Sequence, residues 1–208
     1  MIQEKEQRII RETEELYAKY GIKSITMEDV ASSLGISKKT LYQFVSDKEE
    51  LVEKVINSHA REKLEEFAAI FDEKKNAIDE LFDLIDFIKQ MFKEHNPARE
   101  YDLLKYYPEL YNALKIKKRE HIFKAFRENI EKGKQQGLYR QDTDAELISK
   151  LHVFRVENII DNDLFDKEEL TSPDFCLEII IYHIRGIATS EGITYLEKKL
   201  KTNELING

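Results

Sequence analysis

The sequence predicts an all-α protein, and three observations carry that expectation. Only 7 Gly and 3 Pro punctuate 208 residues, too few for the turns an all-β fold needs. Apolar residues recur at helical spacing along most of the chain. Capping residues stand where several of those runs begin.

The elements follow in order. Ile9, Thr13, Leu16, Tyr17 and Tyr20 form a helical stripe that Gly21 ends. Thr26, with Asp29 three residues on, resembles a capping box for a helix carrying Val30, Ala31 and Leu34 and stopped by Gly35. Ser37 can cap a helix over Lys38 to Phe44. Ser46-Asp47-Lys48-Glu49 reads as an S-x-x-E box opening a longer helix, expected to run through Phe71 without Gly or Pro. That continuity predicts a rigid join between the N-terminal quarter and the rest. Ile78 to Phe92 is a strong helical run, and Pro97 closes the connection after it. A short segment, Glu100 to Tyr107, precedes Pro108, which suits the first turn of a helix reaching about Gln136, with Gly137 beyond. Thr143 or Asp144 starts the next helix, Pro173 another, and Ile193, Leu196 and Leu200 mark the last.

Composition sets the broad class. With 41% hydrophobic and 36% charged residues, the chain is too apolar to be disordered and too charged to be embedded in a membrane. No uncharged apolar stretch nears the ~20 residues that span a bilayer, and Met1 to Glu6 lacks the apolar run of a signal peptide. The single Cys176 leaves no internal disulfide to form. A cytoplasmic location is expected, with no membrane partner. The net charge of -8 excludes a uniformly basic coat for nucleic acid but not a local patch. Ser32 to Lys48 is such a patch, with three lysines and one acid.

That patch lies in a pattern of short helix, Gly turn and second short helix. A helix that enters the major groove presents small polar and basic side chains near its N-terminus and keeps an apolar back. Lys38, Lys39, Thr40 and Gln43 can face outward, while Leu41 and Phe44 pack against Ala31 and Leu34. From Ile25-Thr26-Met27-Glu28-Asp29 through Thr40-Leu41-Tyr42 to Lys48-Glu49-Glu50-Leu51, the sequence resembles the tetracycline-repressor (TetR/AcrR) family of bacterial transcriptional regulators. The resemblance is strong over Ile9 to about Ile56. It implies a helix-turn-helix DNA-binding domain at 1–50 and a helical effector-binding and dimerisation domain at 51–208. It implies a homodimer on an operator palindrome of double-stranded DNA, most simply a repressor released by a small-molecule effector.

By resemblance the DNA-binding set is Thr26, Met27, Lys38, Lys39, Thr40, Tyr42, Gln43 and Lys48. Thr26, Tyr42 and Lys48 are expected to meet phosphates, and Lys38, Lys39, Thr40 and Gln43 to meet base edges. Glu28 departs from the family pattern, where a basic or neutral residue is common, and Val45 replaces a commoner aromatic. Gly137 to Asp142 looks like the family's turn before its dimerising helices, placed near Asp144–Asp161 and Pro173–Ser190. The aromatic surplus after Phe67 can fill a core or line a cavity, which residue type alone does not separate. The expected effector-binding set is Phe82, Met91, Tyr107, Tyr111, His121, Phe126, His152 and Arg155. Arg155 is singled out because an arginine in an apolar stretch is costly to bury unpaired.

No cofactor or metal is expected. None of the five histidines lies in an H-E-x-x-H or Glu-x-x-His spacing, and no phosphate-binding glycine loop or G-x-S-x-G occurs. Catalysis is therefore not expected. Two alternatives stand beside the effector-released repressor. One is a family DNA-binding protein without a metabolite effector, controlled by a protein partner or acting architecturally. The other is a helical enzyme with a relic head.

Overall fold

A computed structural model describes residues 2–72, 74–159, 164–165, 169–170 and 172–207. Among these the helices are α1 (Ile2–Tyr20), α2 (Met27–Leu34), α3 (Lys38–Leu41), α4 (Lys48–Ala68), α5 (Ala77–Glu94), α6 (Pro97–Tyr106), α7 (Pro108–Gln135), α8 (Ala145–Asn158), α9 (Pro173–Ile187) and α10 (Ser190–Asn207). No strand occurs among the described residues. Tyr139 and Ala188 form an isolated antiparallel bridge. The expected end of one interface helix at Asp161 lies outside the described residues.

The helix boundaries follow from local chemistry. Gly21, at φ +78°, ends α1 with its N–H donating to the Tyr17 carbonyl at 3.0 Å. At the start of α2, the Thr26 and Asp29 side chains each accept the other's backbone N–H, a complete capping box. Gly35 ends α2 at φ +64°, and the Ile36 N–H reaches back to the Ala31 carbonyl at 3.0 Å. That six-residue closure needs a left-handed residue at position 35, and glycine adopts it without a Cβ penalty. Asn96, Asp144 and Ser172 cap α6, α8 and α9.

Three boundaries differ from the sequence expectation. The cap of α4 sits one residue later, on Asp47, whose Oδ1 accepts the Glu50 N–H at 2.9 Å, while Glu50 accepts from the Ser46 N–H at 2.6 Å. A carboxylate suits the positive end of a helix better than a hydroxyl, and the Ser46 hydroxyl donates to Asp47 instead. The α3 helix stops at Leu41, after which Gln43 and Phe44 donate to carbonyls three residues back, a tighter turn. Finally, α4 ends at Ala68. Phe71 lies beyond it and meets the Phe67 and Phe126 rings edge-on at 5.3 and 6.5 Å.

The chain forms two compact units. The first comprises residues 1–65 and 95–118, and the second 66–94 and 119–208. In the first, Tyr17, Ile22, Val30, Leu34, Leu41, Leu51, Val55 and Leu103 belong to one core. In the second, Ile78, Leu81, Phe126, Ile130, Tyr139, Ile180, Ile184 and Leu196 form another. Tyr139 packs on the backbone of α7 at Gly133, where a Cβ would stand 2.0 Å from its ring.

The second core also encloses charge. Glu80, 2% exposed, accepts from Lys132 Nζ at 2.6 Å and from Asn129 Nδ2 at 2.7 Å. Lys132 also donates to the Asp72 carbonyl, and Asn129 to the Ala77 carbonyl. Both donors to this buried carboxylate thus come from α7, and each is held in turn by a backbone carbonyl.

Candidate nucleic-acid interface

The interface is built on α2, α3 and the turn between them. Leu41 is fully buried, Phe44 packs against the same core, and Ala31 and Leu34 stand opposite. Their anchoring turns Lys38, Lys39, Tyr42 and Gln43 outward, all exposed. Tyr42 is 46% exposed, so its ring lies on the surface and not in the core.

The structure divides the expected DNA-contact residues by what their polar atoms already do. Lys39, Tyr42 and Gln43 present open side chains. Lys38 Nζ is paired with Glu28 Oε2 at 3.1 Å across the turn, and that pairing raises the lysine's pKa. The Thr26 hydroxyl is occupied within its capping box, donating to Asp29 Oδ2 at 2.6 Å. The Thr40 hydroxyl shares a 2.8 Å bond with Ser37. Met27 is 8% exposed, and its side chain belongs to the core. Met27 follows its cap as the first residue of α2, on the stripe it shares with Val30, Ala31 and Leu34.

Lys48 occupies a special place. Its ammonium donates to the Ile22 carbonyl at 2.8 Å and the Lys23 carbonyl at 3.3 Å. Burial there holds its pKa below the usual lysine value, with Asp102 opposing that shift. The same connection between α1 and α2 is held by Asp102, which accepts the Lys23 N–H at 2.7 Å. The Lys23 ammonium lies 3.9 Å over the Tyr106 ring. Two carbonyls of the connection thus find a cation from α4, and its Lys23 N–H finds a carboxylate from α6. These bonds fix the connection between α1 and α2 against α4 and α6. Sequence periodicity signals neither Asp102 nor the part Lys48 plays, because both bonds join residues more than twenty-five positions apart.

The expected effector residues fall in both units. Tyr107 and Tyr111 pack with the core of the first unit. Phe82 is buried in the second core, with Lys199 5.1 Å from its ring centre. Met91 and His121 lie on exposed surface. Phe126, His152 and Arg155 do come together. The Phe126 and His152 rings stack with centres 3.4 Å apart, and Arg155 Nη2 lies 2.6 Å from His152 Nδ1. A fourth member, His183 of α9, was not among the expected residues. Its ring centre is 5.5 Å from that of Phe126 and 5.6 Å from that of His152. Its signal was available, since His183 stands three residues after Ile180 and four before Ile187 on the buried face of α9. Burial, with the nearby Arg155 charge, depresses the pKa of both histidines, and that of His183 to about 4.

Among the described residues no group of three or more His, Cys, Asp or Glu is placed to hold a metal ion. No helix of the described residues is long and apolar enough to cross a membrane.

Comparison with known proteins agrees with this geometry. Residues 9–55 match the model of bacterial regulatory proteins, tetR family. The chain is 26% identical over 189 residues to the HTH-type transcriptional regulator YvaF of Bacillus subtilis, covering 89% of this chain and 97% of that one. A transcriptional regulator from Cytophaga hutchinsonii superposes with a TM-score of 0.68 at 20% identity, covering 88% and 98% of the two chains. A regulator from Saccharomonospora viridis, solved in complex with choline, superposes at 0.56 with 18% identity, covering 90% and 99%.

Proposed function

We propose that this chain is a DNA-binding transcriptional regulator of the TetR family and not an enzyme, and that it represses transcription as a homodimer on a palindromic operator and is released by a small molecule. The observation that carries the DNA-contact assignment is the exposed set Lys39, Tyr42 and Gln43 on a turn whose opposite side is buried. Tyr42 serves as a phosphate contact, and Lys39 and Gln43 as readers of base edges. Lys48 serves chiefly to hold the connection before α2, since its ammonium is engaged on carbonyls.

Fluorescence anisotropy with a duplex from the chain's own upstream region, beside a scrambled duplex, tests this reading. Gln43→Ala is expected to relax preference at one position in each half-site, at about 1–3 kcal/mol for a good base contact. Tyr42→Phe should weaken binding to both duplexes alike. Equal wild-type affinity for the two duplexes would defeat the operator reading.

The dimer reading rests on α8 and α9. Leu147, Leu151 and Phe154 are 52%, 55% and 67% exposed at helical spacing, and Tyr182 on α9 is 78% exposed. A contiguous apolar stripe of this kind marks an interaction surface. A two-fold copy covers it with itself and sets two recognition elements about 34–36 Å, or a multiple, apart. Light scattering at micromolar concentration should give twice the chain mass. The double variant Leu151→Glu, Phe154→Glu should give the single mass with its helical circular dichroism intact. A double variant that remains dimeric would place the interface elsewhere.

For the effector, the choline complex of the Saccharomonospora regulator supports the reading that this fold accepts small molecules. The Phe126, His152, Arg155 and His183 cluster is one place where the second unit offers polar groups within an apolar core.

A further inference from the structure

Arg155 and His183 are poorly provided for as structural residues. Arg155 is half-buried, and its one hydrogen-bond partner among the described residues is a histidine nitrogen, not a carboxylate. A guanidinium has five N–H groups and matches the two oxygens of a carboxylate. Here one N–H is used, on His152 Nδ1, which fixes that histidine as the tautomer protonated at Nε2. Desolvation lowers the arginine's pKa, so the cation is held at a cost. His183 is 7% exposed, and its Nε2 is buried without a hydrogen-bond partner. Such groups are rare in interiors and each calls for an explanation. Both side chains stand at His152, whose Nδ1 lies 2.6 Å from Arg155 Nη2 and whose ring centre lies 5.6 Å from that of His183.

We propose that Arg155 and His183 form the anion-holding end of a ligand site in the second unit, which takes a small organic carboxylate with an apolar body. The carboxylate accepts from the free N–H groups of Arg155 and from His183 Nε2–H. It supplies the counter-charge that the cluster lacks among the described residues and a partner for His183 Nε2. The apolar body is matched by the Phe126–His152 stack beside Arg155. A neutral acceptor could bond to these donors but would not supply the charge that the guanidinium is matched to. The proposal rests on the reading of the second unit as effector-binding and gives that effector a chemical class.

The test uses the full chain with octanoate and phenylacetate as probes, and octanol and 2-phenylethanol as uncharged counterparts. Calorimetry should show the carboxylates binding, with the alcohols about tenfold or more weaker, as loss of a charge-assisted contact implies. Arg155→Met should remove this preference for the acids, and Arg155→Lys should restore part of it. His183→Phe should weaken the acids and leave the ligand-free melting temperature unchanged or higher, because an unsatisfied buried group is removed. Imidazole NMR supplies a readout that a purely structural role would not move, since octanoate should shift the His183 ring signals. If neither acid binds, or if Arg155→Met binds them as the wild type does, the proposal is overturned. Operator release is measured separately. Acids that bind through Arg155 without weakening operator binding would support the site and overturn the effector reading.

Discussion

Lys132→Met is expected to destabilise the protein by about 3–5 kcal/mol, the usual result of stranding a buried charge. Glu80 is almost fully enclosed, and Lys132 is the cation that neutralises it at 2.6 Å. Removing the ammonium leaves the carboxylate with the Asn129 amide alone and also frees the Asp72 carbonyl. The double variant Glu80→Leu, Lys132→Met should recover most of the loss, because a well-packed apolar pair avoids both desolvation costs. Urea unfolding followed by circular dichroism measures both. A single-variant loss below about 1 kcal/mol, typical of exposed pairs, would show that Glu80 does not carry a buried charge.

The second large effect is on pH dependence. His183 has its pKa lowered from 6.5 to about 4, chiefly by burial, and that of His152 moves the same way. The folded state therefore refuses a proton that the unfolded state accepts below pH 6.5. Stability is full above that value and falls as pH drops toward about 4. Between about pH 6.5 and pH 5, His183 alone should cost about 2 kcal/mol, at about 1.4 kcal/mol per pH unit. The carboxylates of Glu14, Asp29, Glu50 and Glu146 are stabilised in their charged forms and lose that contribution only as pH falls below the ordinary carboxylate values of 3.8 to 4.5. Urea titrations at about pH 7 and pH 5 thus isolate the histidines. His183→Phe should remove one proton's share of the slope and leave that of His152. An unchanged slope would mean that His183 takes up its proton in the folded state. A bound carboxylate should act in the opposite direction to burial and favour the charged imidazole.

Much of this protein was legible in its sequence for a local reason. A helix start is written in residues three apart, as in Thr26 with Asp29, and a stop in one glycine, as at Gly21 and Gly35. An apolar back face is written in neighbours such as Leu41 and Phe44. These interactions close within one or two turns, so their spacing along the chain is their spacing in space. The all-α fold and the helix-turn-helix followed from such signals. The one-residue error at Asp47 arose where two adjacent polar residues could both cap and only charge decided between them.

Tertiary packing decided how the polar groups are used. Asp102 reaches Lys23 across 79 positions, Lys132 reaches Glu80 across 52, and Lys48 reaches Ile22 across 26. Packing likewise turned Met27 inward and paired Lys38 with Glu28. It also placed Tyr107 and Tyr111 against the core of the first unit and, in the second, brought His183 to Phe126. Residue type says that a lysine will seek an anion or a carbonyl and that a buried histidine will seek a partner. Which partner it meets depends on which helices share a core, and that follows from the fit of whole apolar faces, not from any short stretch of chain.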